Sequence, residues 1–268
     1  ATIRTTGNPA SLVLNGGTLE SKNTTDEHCT IAVYANSSAT RNENSAVACT
    51  VVINNATAKG GVYLFGEGAK VTVNDGAVID TSGYYGISGN GTKTDSQNNG
   101  GTVIDINGGT ITQTGAGGGA IYHPQDGTLD ISGNAVIKGD SGIQMCSGES
   151  VIANITGGTI TATGEDQRKD KTGDGIIPDG AAVSVVNRNY PGGIPKMTIS
   201  GGSFVSEKNK AVMAYTWKDN KESDWAEANQ YLSITGGTFS ADPSAYVNEE
   251  THAVVKESEN YKVLPIAD

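Results

Sequence analysis

Two aspartates, Asp105 in IDINGGTI and Asp130 in LDISGNAV, hold the same place in two similar octamers. If the octamers stack as strands, the carboxylates stand about 5 Å apart, near the separation used by retaining glycosidases. Carboxylates that close must share a proton, bind a cation or turn into water. A solvated surface pair is the default, and a cation site and a catalytic dyad are the alternatives. A second acidic group, Asp166, Asp170, Asp174 and Asp179, lies in EDQRKDKTGDGIIPDG. An oxygen-rich loop punctuated by Gly suits calcium. Here Asp170, Asp174 and Gly175 fit the spacing of a helix–loop–helix calcium site, but Thr172 holds the third position and no Glu closes the loop. The competing reading is a solvated loop. Aromatic residues form the third group. Tyr122, Trp217 and Trp225 lie near irregular stretches, where rings stack on sugars while their O–H or N–H groups reach hydroxyls. The competing reading packs these rings onto the body of the protein.

Recognised catalytic patterns are missing from the chain. GxSxG, HExxH and phosphate-binding Gly-Lys loops do not occur, and the histidines His28, His123 and His252 are dispersed. Asp and Glu number 29 against 18 Lys and Arg, a formal charge of −11, which disfavours nucleic acid because phosphate contacts need clustered cations. No run approaches the roughly 20 apolar residues that cross a bilayer, and the opening ATIRTTGNPA has no apolar signal-peptide stretch. The three cysteines Cys29, Cys49 and Cys146 exclude a disulfide-dense scaffold; one bridge, Cys29 to Cys49, remains open beside three free thiols.

The elements that would position these groups come from a repeat. The pattern apolar, any, apolar, Asn/Ser/Thr, Gly, Gly, Thr, apolar begins at Leu12, Val51, Val71, Ile104, Leu129, Ala153, Met197 and Leu232. Its first and third positions alternate as in a strand with one buried face, and the Gly pair permits a sharp turn. A third apolar segment often follows, as in GVYLF from Gly61, GAIYH from Gly119, SGIQM from Ser141, AAVSV from Ala181 and AVMAY from Ala211. Three short strands in 20 to 25 residues is the length of one coil of a parallel β-helix, and the closest motif starts are 20, 24 and 25 residues apart. The longer spacings carry excursions at about 20–50, 84–101, 164–195 and 218–229. The fourth motif column opens Asn15, Asn54, Asn74, Asn107, which predicts a ladder of amide hydrogen bonds along the axis.

The coil pattern resembles the right-handed β-helix superfamily of pectate lyases, polygalacturonases and phage tailspikes. The wording ISGGSF, ITGGTF and DPSAYV resembles repeat regions of large cell-surface proteins of gut Firmicutes. These resemblances imply an all-β, single-stranded, right-handed parallel β-helix of about eight coils over residues 1–241. Residues 242–268 would form a C-terminal β-hairpin cap built from HAVV and YKVL. They also imply an extracellular or surface-attached module. The polygalacturonase signatures NTD, DD, His-Gly and RIK are absent, and Arg168 and Arg188 match no lyase motif. The expected function is therefore a non-catalytic adhesin or glycan-binding spike module, with a glycan or a host or microbial surface ligand as partner. A polysaccharide-degrading enzyme and a structural stalk are the alternatives. No cofactor is expected beyond the calcium candidate.

Overall fold

The structure, a computed structural model, describes residues 3–5, 10–20, 30–34, 49–91, 100–146, 151–190 and 193–267. It is all-β. The helical segments among the described residues are three single 3₁₀ turns, Arg168–Asp170, Ala228–Gln230 and Ser244–Tyr246. No helix among them is long and apolar enough to cross a membrane.

The chain lays its strands on three long sheets in turn. The motif sheet takes the first half of every octamer, from Ser11–Leu14 through Thr102–Ile106 and Gly127–Ile131 to Leu232–Ile234, all neighbours parallel. The second sheet takes the residues after the Gly pair, from Thr18–Glu20 to Gly237–Phe239. The third sheet takes the remaining apolar segments, including Val62–Phe65, Tyr85–Gly89, Gly119–His123, Ser141–Met145, Val183–Arg188 and Val212–Lys218.

The alternation read from the octamers fixes the register. Val71, Ile104, Leu129 and Ala153 are successive partners, as are Val73, Ile106, Ile131 and Ile155. All eight are at most 1% exposed. On the second sheet Ile79, Ile111, Ile137, Ile160 and Phe204 form the matching inward column. Its far end is a ring stack, Phe204 on Phe239 at 4.9 Å. One apolar cluster thus runs between the sheets from Ile31 to Val263. The turn glycines are obligatory where both space and dihedral demand it. Gly109 has φ +75°, and a Cβ there would lie 2.7 Å from the Ala77 carbonyl oxygen. The Asn ladder is also present. Asn54 donates to Asn15 at 3.0 Å, Asn74 to Asn54 at 2.7 Å and Asn107 to Asn74 at 3.0 Å.

At the C-terminal end each sheet edge is covered by a different device. His252–Glu257 and Asn260–Pro265 form an antiparallel hairpin, and its second strand pairs with Gly237–Phe239. Val247 bridges Ile234 at the edge of the motif sheet. On the third sheet Lys221–Ser223 folds back on Val212–Lys218, and the Tyr246 hydroxyl accepts the Ala214 N–H at 2.9 Å. Bare strand edges invite pairing with other chains, and these contacts move two of the edges out to the charged strands His252–Glu257 and Lys221–Ser223.

The excursions are less irregular than their sequence predicts. Ile31–Tyr34 and Tyr85–Gly89 lie inside the stretches expected to leave the coil, yet each is a third-sheet strand, while Val183–Arg188 is the third-sheet strand expected from AAVSV. Their β-branched and aromatic residues find partners on neighbouring coils, which outweighs the Gly, Asn and Ser around them. Residues 21–29, 35–48 and 92–99 lie outside the described residues, and Cys29 and His28 with them. Cys49 and Cys146 are buried free thiols.

Candidate functional site: a braced loop face

The three sheets differ on their outer sides. Strands of the motif and second sheets alternate buried and accessible residues, as in Lys70–Val73 and Thr110–Gln113. Gly119–His123 and Ser141–Met145 of the third sheet are buried throughout. A parallel sheet covered on both faces has no polar side to show water. The cover here is the segment 164–182, a strap between the second and third sheets.

Shape and polarity both hold the strap. Ile176 seats in a notch at Gly119, where a Cβ would lie 2.3 Å from the Ile176 Cδ1. Ile176, Ile177 and Ala181 join Tyr122, Cys146, Val186, Met213, Tyr215 and Trp217 in a second apolar cluster. Tyr85 stacks on Tyr122 at 5.4 Å, and its hydroxyl accepts the Ile176 N–H at 3.3 Å. Asp179 is fully buried. Its Oδ2 accepts from Gln144 Nε2 at 2.9 Å and from the Tyr215 hydroxyl at 3.0 Å, and its Oδ1 accepts the Ala181 N–H at 3.0 Å. Burial still raises the carboxyl pKa above the usual range, opposed by these donors. Burial likewise pushes the Tyr215 phenol up, with Asp179 adding to the effect. The Gln144 Oε1 accepts the Ile177 N–H at 2.7 Å, so one side chain ties two points of the strap to the sheet.

Arg188 is 6% exposed. It donates to the carbonyls of Gly175 at 2.6 Å and Gly173 at 3.2 Å, and to the Tyr122 hydroxyl at 3.4 Å. Its fork thus fixes the strap's outer bend from below. The Cys146 thiol lies 3.9 Å from Arg188 Nη1. Burial holds that thiol's pKa up, against the pull of the guanidinium, which disfavours a reactive thiolate.

Above this layer three loops from two successive coils are cross-braced. Arg168 grips Asp166 through two bonds, at 2.9 and 2.7 Å, reaches Glu222, and lies over the Tyr215 ring at 4.8 Å. The Gly173 N–H donates to Asn220 at 3.2 Å, and Asn189 donates to Asp219 at 3.1 Å. Asp219 and Asn220, with φ of +54° and +56°, form the two-residue turn between Val212–Lys218 and Lys221–Ser223. Positive φ at both central residues favours Asn and Asp in such a hairpin. The resulting surface carries both signs of charge, amide groups and the exposed ring of Tyr190. It can present hydrogen bonds from a fixed frame.

The residues singled out from the sequence are distributed as follows. Asp105 and Asp130 are direct register partners. Lys70 lies 2.7 Å from Asp105, and Asn154 donates to Asp130 at 2.8 Å. Asp166, Asp170, Asp174 and Asp179 do not gather: Asp166 serves Arg168, Asp179 is sealed beneath the strap, and Asp170 and Asp174 face outward. Among the described residues no three His, Cys, Asp or Glu side chains come together to hold a metal. Tyr122 and Trp217 are 6% and 4% exposed, so neither has a ring face to offer a sugar; the strap that covers them claims both. Trp225 is half-buried, stacked on Tyr231 at 4.9 Å and packed against the main core. Gln144, Arg168, Arg188 and Asn220 carry the loop face; the sequence reading names Arg168 and Arg188 only as matching no lyase motif and does not single out Gln144 or Asn220. The dipeptide Asp219–Asn220 between alternating segments is the signal that could have found the hairpin.

No protein-family model, curated protein or solved structure matches this chain.

Proposed function

We propose that the chain is a right-handed parallel β-solenoid of about eight coils and acts as a non-catalytic binding module on an extracellular surface, its loop face taking a glycan of a host or microbial surface. The handedness follows the general rule that crossovers between parallel strands are right-handed in about 98% of cases. The binding reading rests on one observation, the bracing of loops 166–174, 189–190 and 218–222 by Arg168–Glu222, Gly173–Asn220 and Asn189–Asp219. A stalk needs no such frame. A binding surface gains from it, because loops fixed beforehand lose less freedom when a ligand arrives. The amides, carboxylates and the Tyr190 ring suit hydroxyl-rich ligands.

The test is a glycan-array screen beside a reducing-end release assay, using the wild-type chain, Tyr190→Ala and Asn220→Gly. Asn220→Gly keeps the turn's dihedral and removes the bond to Gly173. The expected outcome is binding without release, weakened about tenfold or more by either substitution at unchanged melting temperature. Release of reducing ends would overturn the non-catalytic reading, and absence of binding to any glycan would overturn the ligand class.

A further inference from the structure

His123 sits where an imidazole has no reason to be. It occupies an inward position of Gly119–His123, beside Met145 on the next strand, and is 0% exposed. On the other side its register neighbour is Gly89, the residue after the Ser88–Tyr122 pair. The room a side chain would fill there is taken by Gln125, whose Oε1 lies 1.5 Å from where a Gly89 Cβ would stand. Neither imidazole nitrogen of His123 has a hydrogen-bond partner. An apolar residue would fill the position at no electrostatic cost, as Ile121 does two residues earlier.

Among the described residues no buried Asp, Glu, Lys or Arg lies inside the solenoid to offset an imidazolium; the buried ones are Asp179 and Arg188. The strands packed against Gly119–His123 are Tyr85–Gly89, Thr110–Gln113, Val136–Gly139 and Ser141–Met145, and their titratable side chains are Tyr85 and Lys138. Tyr85 belongs to the outer cluster, and Lys138 is exposed. Asp179, Arg188 and Cys146 lie with the strap on the outer side, across the sheet from His123. The same strand also bears Tyr122, whose ring is part of the floor on which the strap rests.

We propose that His123 is an acid-sensitive trigger beneath the loop face: protonating it drives Gly119–His123 out of register with its neighbours, and the strap loses its floor. Burial lowers the imidazole pKa from 6.5 to about 4. A base whose folded pKa is depressed contributes stability that is complete above the unfolded value and is lost as the pH falls toward the folded one. The window therefore runs from pH 6.5 down to about 4. This device does not depend on what the loop face binds.

The experiment compares denaturant unfolding of the wild-type chain with His123→Met and His123→Leu from neutral pH to about pH 4.5, and follows the imidazole resonances of the wild type by NMR. Relative to the variants, the wild-type unfolding constant should rise about 30-fold by about pH 5. Hydrogen-exchange protection at Ile177 and Ala181 of the strap, corrected for intrinsic rate, should fall with it only in the wild type. Parallel pH profiles for wild type and variants would overturn the proposal. Should neither variant fold, the NMR titration decides: a resonance of His123 that titrates near 6.5 overturns it, and one that stays neutral to below about pH 5 upholds it.

Discussion

Asp105 and Asp130 face each other across adjacent strands, but each carboxylate is committed to a different partner, Lys70 at 2.7 Å and Asn154 at 2.8 Å. A pair of acids working together must share a proton or divide the roles of acid and nucleophile, which requires their environments to differ. Here both lie on an open sheet face, where Asp105 is paired with a cation, Asp130 is held by an uncharged amide, and neither partner links the two carboxyls. Asp105→Asn and Asp130→Asn should each change stability by no more than about 1 kcal/mol, the scale of half-exposed ion pairs and hydrogen bonds. Neither should alter any glycan-directed activity. Loss of a measurable turnover in Asp130→Asn with unchanged melting would identify the pair as catalytic.

Ile106 and Ile155 lie in the same inward column of the motif sheet, at 0% exposure. A carboxylate there has no donor and no route to water, and its burial costs several kcal/mol. That is comparable with the roughly 5–15 kcal/mol that separates a folded domain from its unfolded chain. Ile106→Asp or Ile155→Asp should abolish cooperative unfolding or leave the chain insoluble. A folded, soluble Ile155→Asp protein would contradict the inward column.

The columns were legible because a strand repeats every two residues and each octamer restates its register. Leu12, Val51 and Val71 hold the same octamer position, which sets Asn15, Asn54, Asn74 and Asn107 in one hydrogen-bonded ladder. The HAVV and YKVL hairpin was legible from alternation beside acidic turns. The loop face was not. Whether Tyr122 or Trp217 meets water depends on a strap that lies dozens of residues away in sequence, and no local pattern reports that cover. Asp179 misled because it was grouped with Asp166, Asp170 and Asp174, while its flanks Ile176, Ile177 and Ala181 are apolar and its partners in space are Gln144 and Tyr215.

Calcium should leave this fold unmoved. Asp166 is engaged by Arg168, Asp179 already accepts three hydrogen bonds, and Asp170 and Asp174 remain as scattered surface acids. A hard cation seeks six to eight converging oxygens, and rearranging the strap to supply them would break the Arg168 clamp. Melting curves with chelator and with millimolar calcium should coincide. A rise of several degrees with calcium, lost in Asp174→Ala, would show that the strap refolds around the ion.

Asp179 gives the strap a pH dependence opposite in sign to that of His123. Its folded pKa is raised by burial from 3.8, so its contribution to stability is present at low pH and is lost as the pH rises through the raised value. Asp179→Asn keeps an acceptor for Gln144 or Tyr215 without the buried charge, and should flatten this component of the stability–pH curve above about pH 4. Asp179→Ala leaves the buried Tyr215 hydroxyl and Ala181 N–H without their acceptor, while the Gln144 amide keeps the Ile177 carbonyl, at a cost of roughly 2–4 kcal/mol. The loss should fall first on the strap, so Trp217 emission should shift to the red at denaturant concentrations where the strand signal in far-UV dichroism is intact. Coincident transitions by the two probes in Asp179→Ala would show that the strap and the coils unfold as one unit.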